Sequence, residues 1–190
     1  MDWLIFSVVV IWLALLSWFD LRKGEIPHSA WVIVPLVCAG AYRAQQGGWA
    51  LVVLAGMVTL VSERKRVAQW IHLKITGRVI PWIPVILLGV VWSAQKEPLP
   101  ALSILGFWIA WECGWWGGAD ASAAITLILV WPGNDFYIAF FGFHVVAALG
   151  FMIFTYQQER KLVLHSLPGL PIMFLTAFFY GMNRVIAETL

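Results

Sequence analysis

Apolar residues along this chain come in long unbroken runs separated by short polar stretches, and nothing alternates with the two-residue period of a barrel strand. A backbone surrounded by lipid must satisfy its own hydrogen bonds, so these runs predict helices. Eight are expected: Trp3–Phe19, Ser29–Tyr42, Gly48–Val61, Val79–Ala94, Leu99–Cys113, Ala119–Trp131, Phe136–Tyr156 and Leu167–Ile186. Several fall short of the roughly 17–25 residues of a full span, so the second, third and sixth borrow flanking residues or sit inside the bundle. No repeat, low-complexity tract or second domain interrupts the pattern. The expectation is one all-α domain over residues 1–190, a polytopic membrane helix bundle with about eight transmembrane helices.

Composition agrees with that reading. Hydrophobic residues make up 62% of the chain and charged residues 12%, with mean hydropathy +0.85, outside the balance of a soluble domain. The first run has no basic region before it and no small-residue cleavage site after it, so it reads as a retained helix and not a cleaved signal. Cys38 and Cys113 fall in apolar runs with neither a CxxC pair nor a histidine at ligand spacing, and they read as reduced core residues. Gly40, Gly56, Gly89 and Gly150 read as sites of close helix packing. No metal and no cofactor is expected.

Charge sets an orientation, because loops on the cytoplasmic side carry the excess of Lys and Arg. With the N-terminus outside, the inner side holds Arg22, Lys23, Arg64, Lys65, Arg66, Lys74, Arg78, Arg160 and Lys161, against Arg43, Lys96 and Arg184 outside. The stretch 62–78 spaces Val67, Trp70, Ile71 and Ile75 among five cations, the pattern of a basic amphipathic segment on anionic lipid or of a basic loop that fixes topology. Many of the thirteen tryptophans fall at predicted helix ends, as interfacial anchors do, and they imply no nucleic-acid partner.

Two of the four aspartates then stand out. Asp20 ends the first predicted helix and Asp120 opens the sixth, and the orientation puts both at the cytoplasmic boundary. Carboxylates at membrane-segment ends are costly and are functional candidates for that reason. After the first the chain reads Asp20-Leu21-Arg22-Lys23-Gly24-Glu25-Ile26-Pro27-His28, and Pro27 suits the first turn of the next helix. Before the second it reads Gly114-Trp115-Trp116-Gly117-Gly118-Ala119-Asp120, where glycine permits close backbone approach and Asp120 meets the positive end of a helix dipole. Two carboxylates a few Å apart share one proton, which is the machinery of an aspartic protease. The competing reading of the same residues is a pair of helix caps or topology markers, each held by a neighbour such as Arg22.

Asp20-Leu21-Arg22 followed by Ile26-Pro27 resembles the first motif of prepilin and preflagellin peptidases, and Gly117-Gly118-Ala119-Asp120 resembles their second, the signature of GxGD-type membrane aspartic proteases. The tail Leu167-Pro168-Gly169-Leu170-Pro171-Ile172 is similar to the Pro-rich start of that family's last helix. His28, Ala119 and Ser122 stand where the family usually has asparagine, glycine and lysine. The resemblance implies a membrane endopeptidase, with Asp20 and Asp120 catalytic, that removes the short basic leader of a prepilin-like or preflagellin-like precursor at the cytoplasmic face. No tetracysteine domain precedes the first motif, so the expectation is peptidase activity alone, without N-methylation and without zinc.

Glu25 and Glu112 are candidates to receive a basic leader, or to pair with nearby cations of the chain itself. His144, well inside the seventh helix, reads as a neutral histidine bonded to another helix. Asp135 lies in a turn and carries no assigned chemistry. Two other functions fit the composition. One is a proton- or cation-coupled transporter using Asp20, Glu112, Asp120 and His144. The other is a non-catalytic subunit of a pilus or secretion machine.

Overall fold

The computed structural model describes residues 3–23, 29–70, 79–159 and 169–189. Among them there is no strand, and the chain is all-α. The helices are α1 (Trp3–Lys23), α2 (Val34–Gln45), α3 (Trp49–Ser62), α4 (Arg64–Trp70), α5 (Ile83–Ala94), α6 (Pro98–Glu112), α7 (Gly118–Val130), α8 (Asn134–Glu159) and α9 (Gly169–Thr189). A π-helical turn over Ser29–Ile33 leads into α2, and a 3-10 turn over Ile80–Trp82 leads into α5. Proline opens α2, α5 and α6, where its missing N–H costs nothing and its fixed φ suits a first turn.

The chain divides into two compact units, Met1–Ile26 with Gly133–Leu190, and Pro27–Pro132. In the first, α9 packs on both α1 and α8. The Phe6 ring lies against Gly181, so the start of α1 meets the second half of α9. Asp135 pairs with Arg184 at 3.8 Å, and Phe136 meets Tyr180 edge-on with ring centres 5.3 Å apart, so α8 also begins beside the end of α9. Asp20 is therefore at the opposite end of this unit from the Asp135–Arg184 pair.

Gly181 leaves no room for a side chain under Phe6. Gly181→Ala is expected to lower stability by about 1–3 kcal/mol, the usual cost of overpacking, read by thermal unfolding in detergent. Gly181→Ala combined with Phe6→Ala should cost less than the sum of the two single changes, because both touch one contact.

In the second unit α3 packs on α5, α6 and α2, and α7 packs on α2 and α6. Arg43, buried at the end of α2, pairs with Glu97 just before α6, and Ser93 at the end of α5 donates to the Ala50 carbonyl at 2.9 Å. At the other end Arg64, just past α3, pairs with Glu112, the last residue of α6. Matching starts and matching ends mean that α3 and α6 run parallel. Every residue from Ala121 to Val130 on α7 is buried, as expected of a helix that is apolar all round. Its Thr126 hydroxyl donates to the Ser122 carbonyl at 2.8 Å and so stays satisfied.

The exterior is apolar too. Leu4, Val8, Ile11, Leu15 and Trp18 form an exposed stripe along α1, and α8 exposes Ile138, Phe141, Val145 and Leu149. Charged groups among the described residues sit within the first or last two turns of helices or in connections. By length and composition, one helix among them, Trp3–Arg22, is able to cross a membrane; Trp49–Ser62, Ile80–Ala94, Gly118–Val130 and Asn134–Gly150 are apolar but shorter.

Three sequence expectations change. Cys38 and Cys113 are exposed and not in the core, because an apolar run does not imply burial when the exterior is as apolar as the interior. Of the four packing glycines, Gly89 is pressed, since a methyl there would meet Leu54 and Met57 at 3.3 Å, and Gly40 lies in ordinary contact with Val52 at 3.6 Å, while Gly56 and Gly150 face open space. His144 bonds within its own helix, its Nδ1 donating to the Phe140 carbonyl at 2.7 Å.

Candidate active site

Asp120 is set by the turn that joins α6 to α7. α6 ends in a Schellman arrangement, with the Gly114 N–H donating to the Trp111 carbonyl at 3.0 Å and the Trp115 N–H to the Ala110 carbonyl at 2.9 Å. Gly114 takes φ +71°, a left-handed conformation that glycine adopts without steric cost. Trp116 then stacks on Phe107 of α6 with ring centres 5.0 Å apart, which holds the turn down on its own helix.

The next two glycines are each crowded by a neighbour. A methyl at Gly118 would sit 3.0 Å from Cζ2 and Nε1 of Trp111, and a methyl at Gly117 would sit 3.2 Å from Oδ2 of Asp120. Gly117 caps α7 in extended conformation, so Asp120 is the third helical residue, and its carboxylate folds back over the first turn. An acidic group at that position interacts favourably with the helix N-terminus. Ala119 lies between, half-buried.

The same end of this unit carries the Arg64–Glu112 pair. Arg64 Nη1 donates to Glu112 Oε1 at 2.9 Å and Nη2 to Oε2 at 3.3 Å, a two-pronged pairing, and Ser62 Oγ donates to Oε1 at 3.2 Å. Arg64 also donates to the Val61 carbonyl at 2.8 Å, closing the end of α3. Glu112 is thus engaged within the fold, adjacent in sequence to the Trp111 that supports Gly118. The Arg64 partner was not identifiable from sequence among several nearby cations. Trp111 carries one mark in the sequence, a large side chain seven residues before a glycine at the next helix start.

Asp20 lies in the first unit, half-buried within the last turn of α1. The sequence expectation that it ends the helix is corrected by three residues: Leu21, Arg22 and Lys23 continue the helix past Asp20, since none of them breaks it. The Arg22 guanidinium lies over the Trp18 ring, 4.1 Å from its centre, one helical turn away. Among the described residues no hydrogen bond or ion pair involves the Asp20 side chain. An ionised carboxylate at the negative end of a helix is locally disfavoured, the reverse of Asp120.

Glu25, Ile26, Pro27, His28 and Pro168 lie outside the described residues. Pro171 is the third residue of α9, a position in the first turn that tolerates proline. Among the described residues no three His, Cys, Asp or Glu side chains gather as metal ligands do. No family model, curated protein or solved structure matches the chain.

Proposed function

We propose that this chain is a polytopic membrane aspartic endopeptidase that cleaves the short basic leader of type IV prepilin-like or preflagellin-like precursors at the cytoplasmic face of the cell membrane. The observation that carries the reading is the seat of Asp120. Two glycines at which a side chain would press on Asp120 or Trp111 bring a carboxylate to the first turn of a buried helix, at the end of its unit that also carries Arg64, Lys65 and Arg66. Asp20 supports it from the other motif, as a carboxylate in a helix turn that disfavours its charge. The apolar exterior, with charges kept to helix ends, supports the membrane setting.

The chemistry needs two carboxylates and one water. The ionised aspartate takes a proton from water as its oxygen attacks the scissile carbonyl carbon. The protonated aspartate donates a hydrogen bond to the developing oxyanion. The intermediate then collapses, the C–N bond breaks, and the leaving amine receives a proton from the aspartate that took one from water. Asp20 and Asp120 fill these two roles, and no serine or cysteine nucleophile takes part.

The test is purified full-length protein in detergent, mixed with a substrate whose Lys/Arg leader ends in glycine ahead of an apolar helix. Cleavage after the glycine, insensitive to serine- and cysteine-directed reagents, is expected. Failure across several such leaders would remove the peptidase reading and make ion flux in vesicles the next assay.

A further inference from the structure

Between α2 and α3 runs a groove of about 800 Å³ that no part of the proposed chemistry uses. Gly40 and Ala44 line one wall and Val52 and Gly56 the other, with Trp49 at one end and Glu63, Arg66 and Val67 at the opposite end. A methyl at Gly56 would meet nothing within 4 Å, so that wall is open to an occupant. Among the described residues, the charged ones lining the groove are Glu63 and Arg66, at its mouth. There Arg66 is 63% exposed and keeps one contact, at 3.2 Å, with a Glu63 side chain that is itself 13% exposed. Lys65 beside it is exposed.

We propose that this groove holds the hydrocarbon of one anionic phospholipid, its phosphate on Arg66 and Lys65. The sign of the charge favours that occupant over a precursor helix. Glu63 and Arg66 offset each other in the lining, and Lys65, exposed beside Arg66, leaves that end of α4 net positive, which attracts a phosphate and repels a basic leader. Arg66 has five N–H donors, so its contact with Glu63 leaves others for a phosphate oxygen. The fourteen residues of α3 give the groove a length of about 21 Å at 1.5 Å per residue, enough for one leaflet's depth of roughly 15 Å.

The inference rests on the membrane reading above and not on the peptidase reading. The experiment is native mass spectrometry of the full chain, released from detergent after exchange against phosphatidylglycerol or phosphatidylcholine. Wild type is expected to retain one phosphatidylglycerol, with a preference over phosphatidylcholine of about fivefold for each effective cation. Lys65→Gln with Arg66→Gln, changes at the exposed mouth, should abolish the preference. Gly56→Leu should abolish retention of either lipid. Equal retention of both lipids by wild type, or a preference that survives the double variant, would overturn the proposal. So would a precursor helix that crosslinks to Gly56→Cys while phosphatidylglycerol fails to compete. A chain that fractionates with soluble protein would instead overturn the membrane reading itself.

Discussion

Asn in place of either Asp20 or Asp120 is expected to lower cleavage by roughly 10²–10⁴-fold, the range that loss of a positioned acid or base produces. The useful control is that stability should move in opposite directions. Asp120 sits at the third position of α7, where a negative charge is favoured, so Asp120→Asn should cost about 0.3–1 kcal/mol. Asp20 sits in the last turn of α1, where the same charge is disfavoured, so Asp20→Asn should leave stability unchanged or raise it by a similar amount. Thermal unfolding alongside a cleavage assay separates the two effects. An inactive Asp20→Asn protein that is as stable as wild type cannot be explained by unfolding. If both variants cleave as wild type does, the dyad is wrong. If Asp20→Asn is markedly less stable, Asp20 is a structural residue and the first motif loses its meaning.

Helix positions were legible because lipid-compatible runs have sharp polar borders. Each of the eight expected runs coincides with a helix, to within a few residues at most ends, and the basic stretch after α3 contributes the short α4. At Asp20 the polar residues are not a border, because Asp, Leu and Arg continue a helix readily. The direction of packing was not legible. That α3 and α6 run parallel follows from Arg43 meeting Glu97 and Arg64 meeting Glu112, contacts between residues about fifty apart that hydropathy does not encode.

The candidate site was legible in part. The two glycines before Asp120 announce close approach, and the structure gives the neighbours: Trp111 for Gly118 and the Asp120 carboxylate for Gly117. The turn that carries them depends on Gly114 in a left-handed conformation and on Trp116 over Phe107. A glycine one residue past a helix end announces the first. Nothing in a chain with thirteen tryptophans announces the second. Burial was the least legible property, as Cys38 and Cys113 illustrate.

The second large effect concerns Glu112, for which substrate binding and internal pairing make opposite predictions. The pair with Arg64 is largely buried, the two side chains being 11% and 19% exposed. Breaking a fully buried pair costs roughly 3–5 kcal/mol, and partial exposure here brings Arg64→Met or Glu112→Ala to about 2 kcal/mol each. The double variant should cost less than the sum, because neither charge is then left without its counterpart. Glu112→Gln keeps an acceptor for Ser62 and Arg64 and should cost less than Glu112→Ala. Activity should follow structure. Releasing Arg64 loosens the end of α6, and with it the Trp111 ring against Gly118, so turnover should fall more than substrate affinity. If Glu112 instead receives the basic leader, Glu112→Gln raises KM with little change in stability, and Arg64→Met strengthens substrate binding by removing a competing cation. A KM that falls in Arg64→Met would therefore assign Glu112 to the substrate, and a matched loss of stability in both single variants assigns it to the fold.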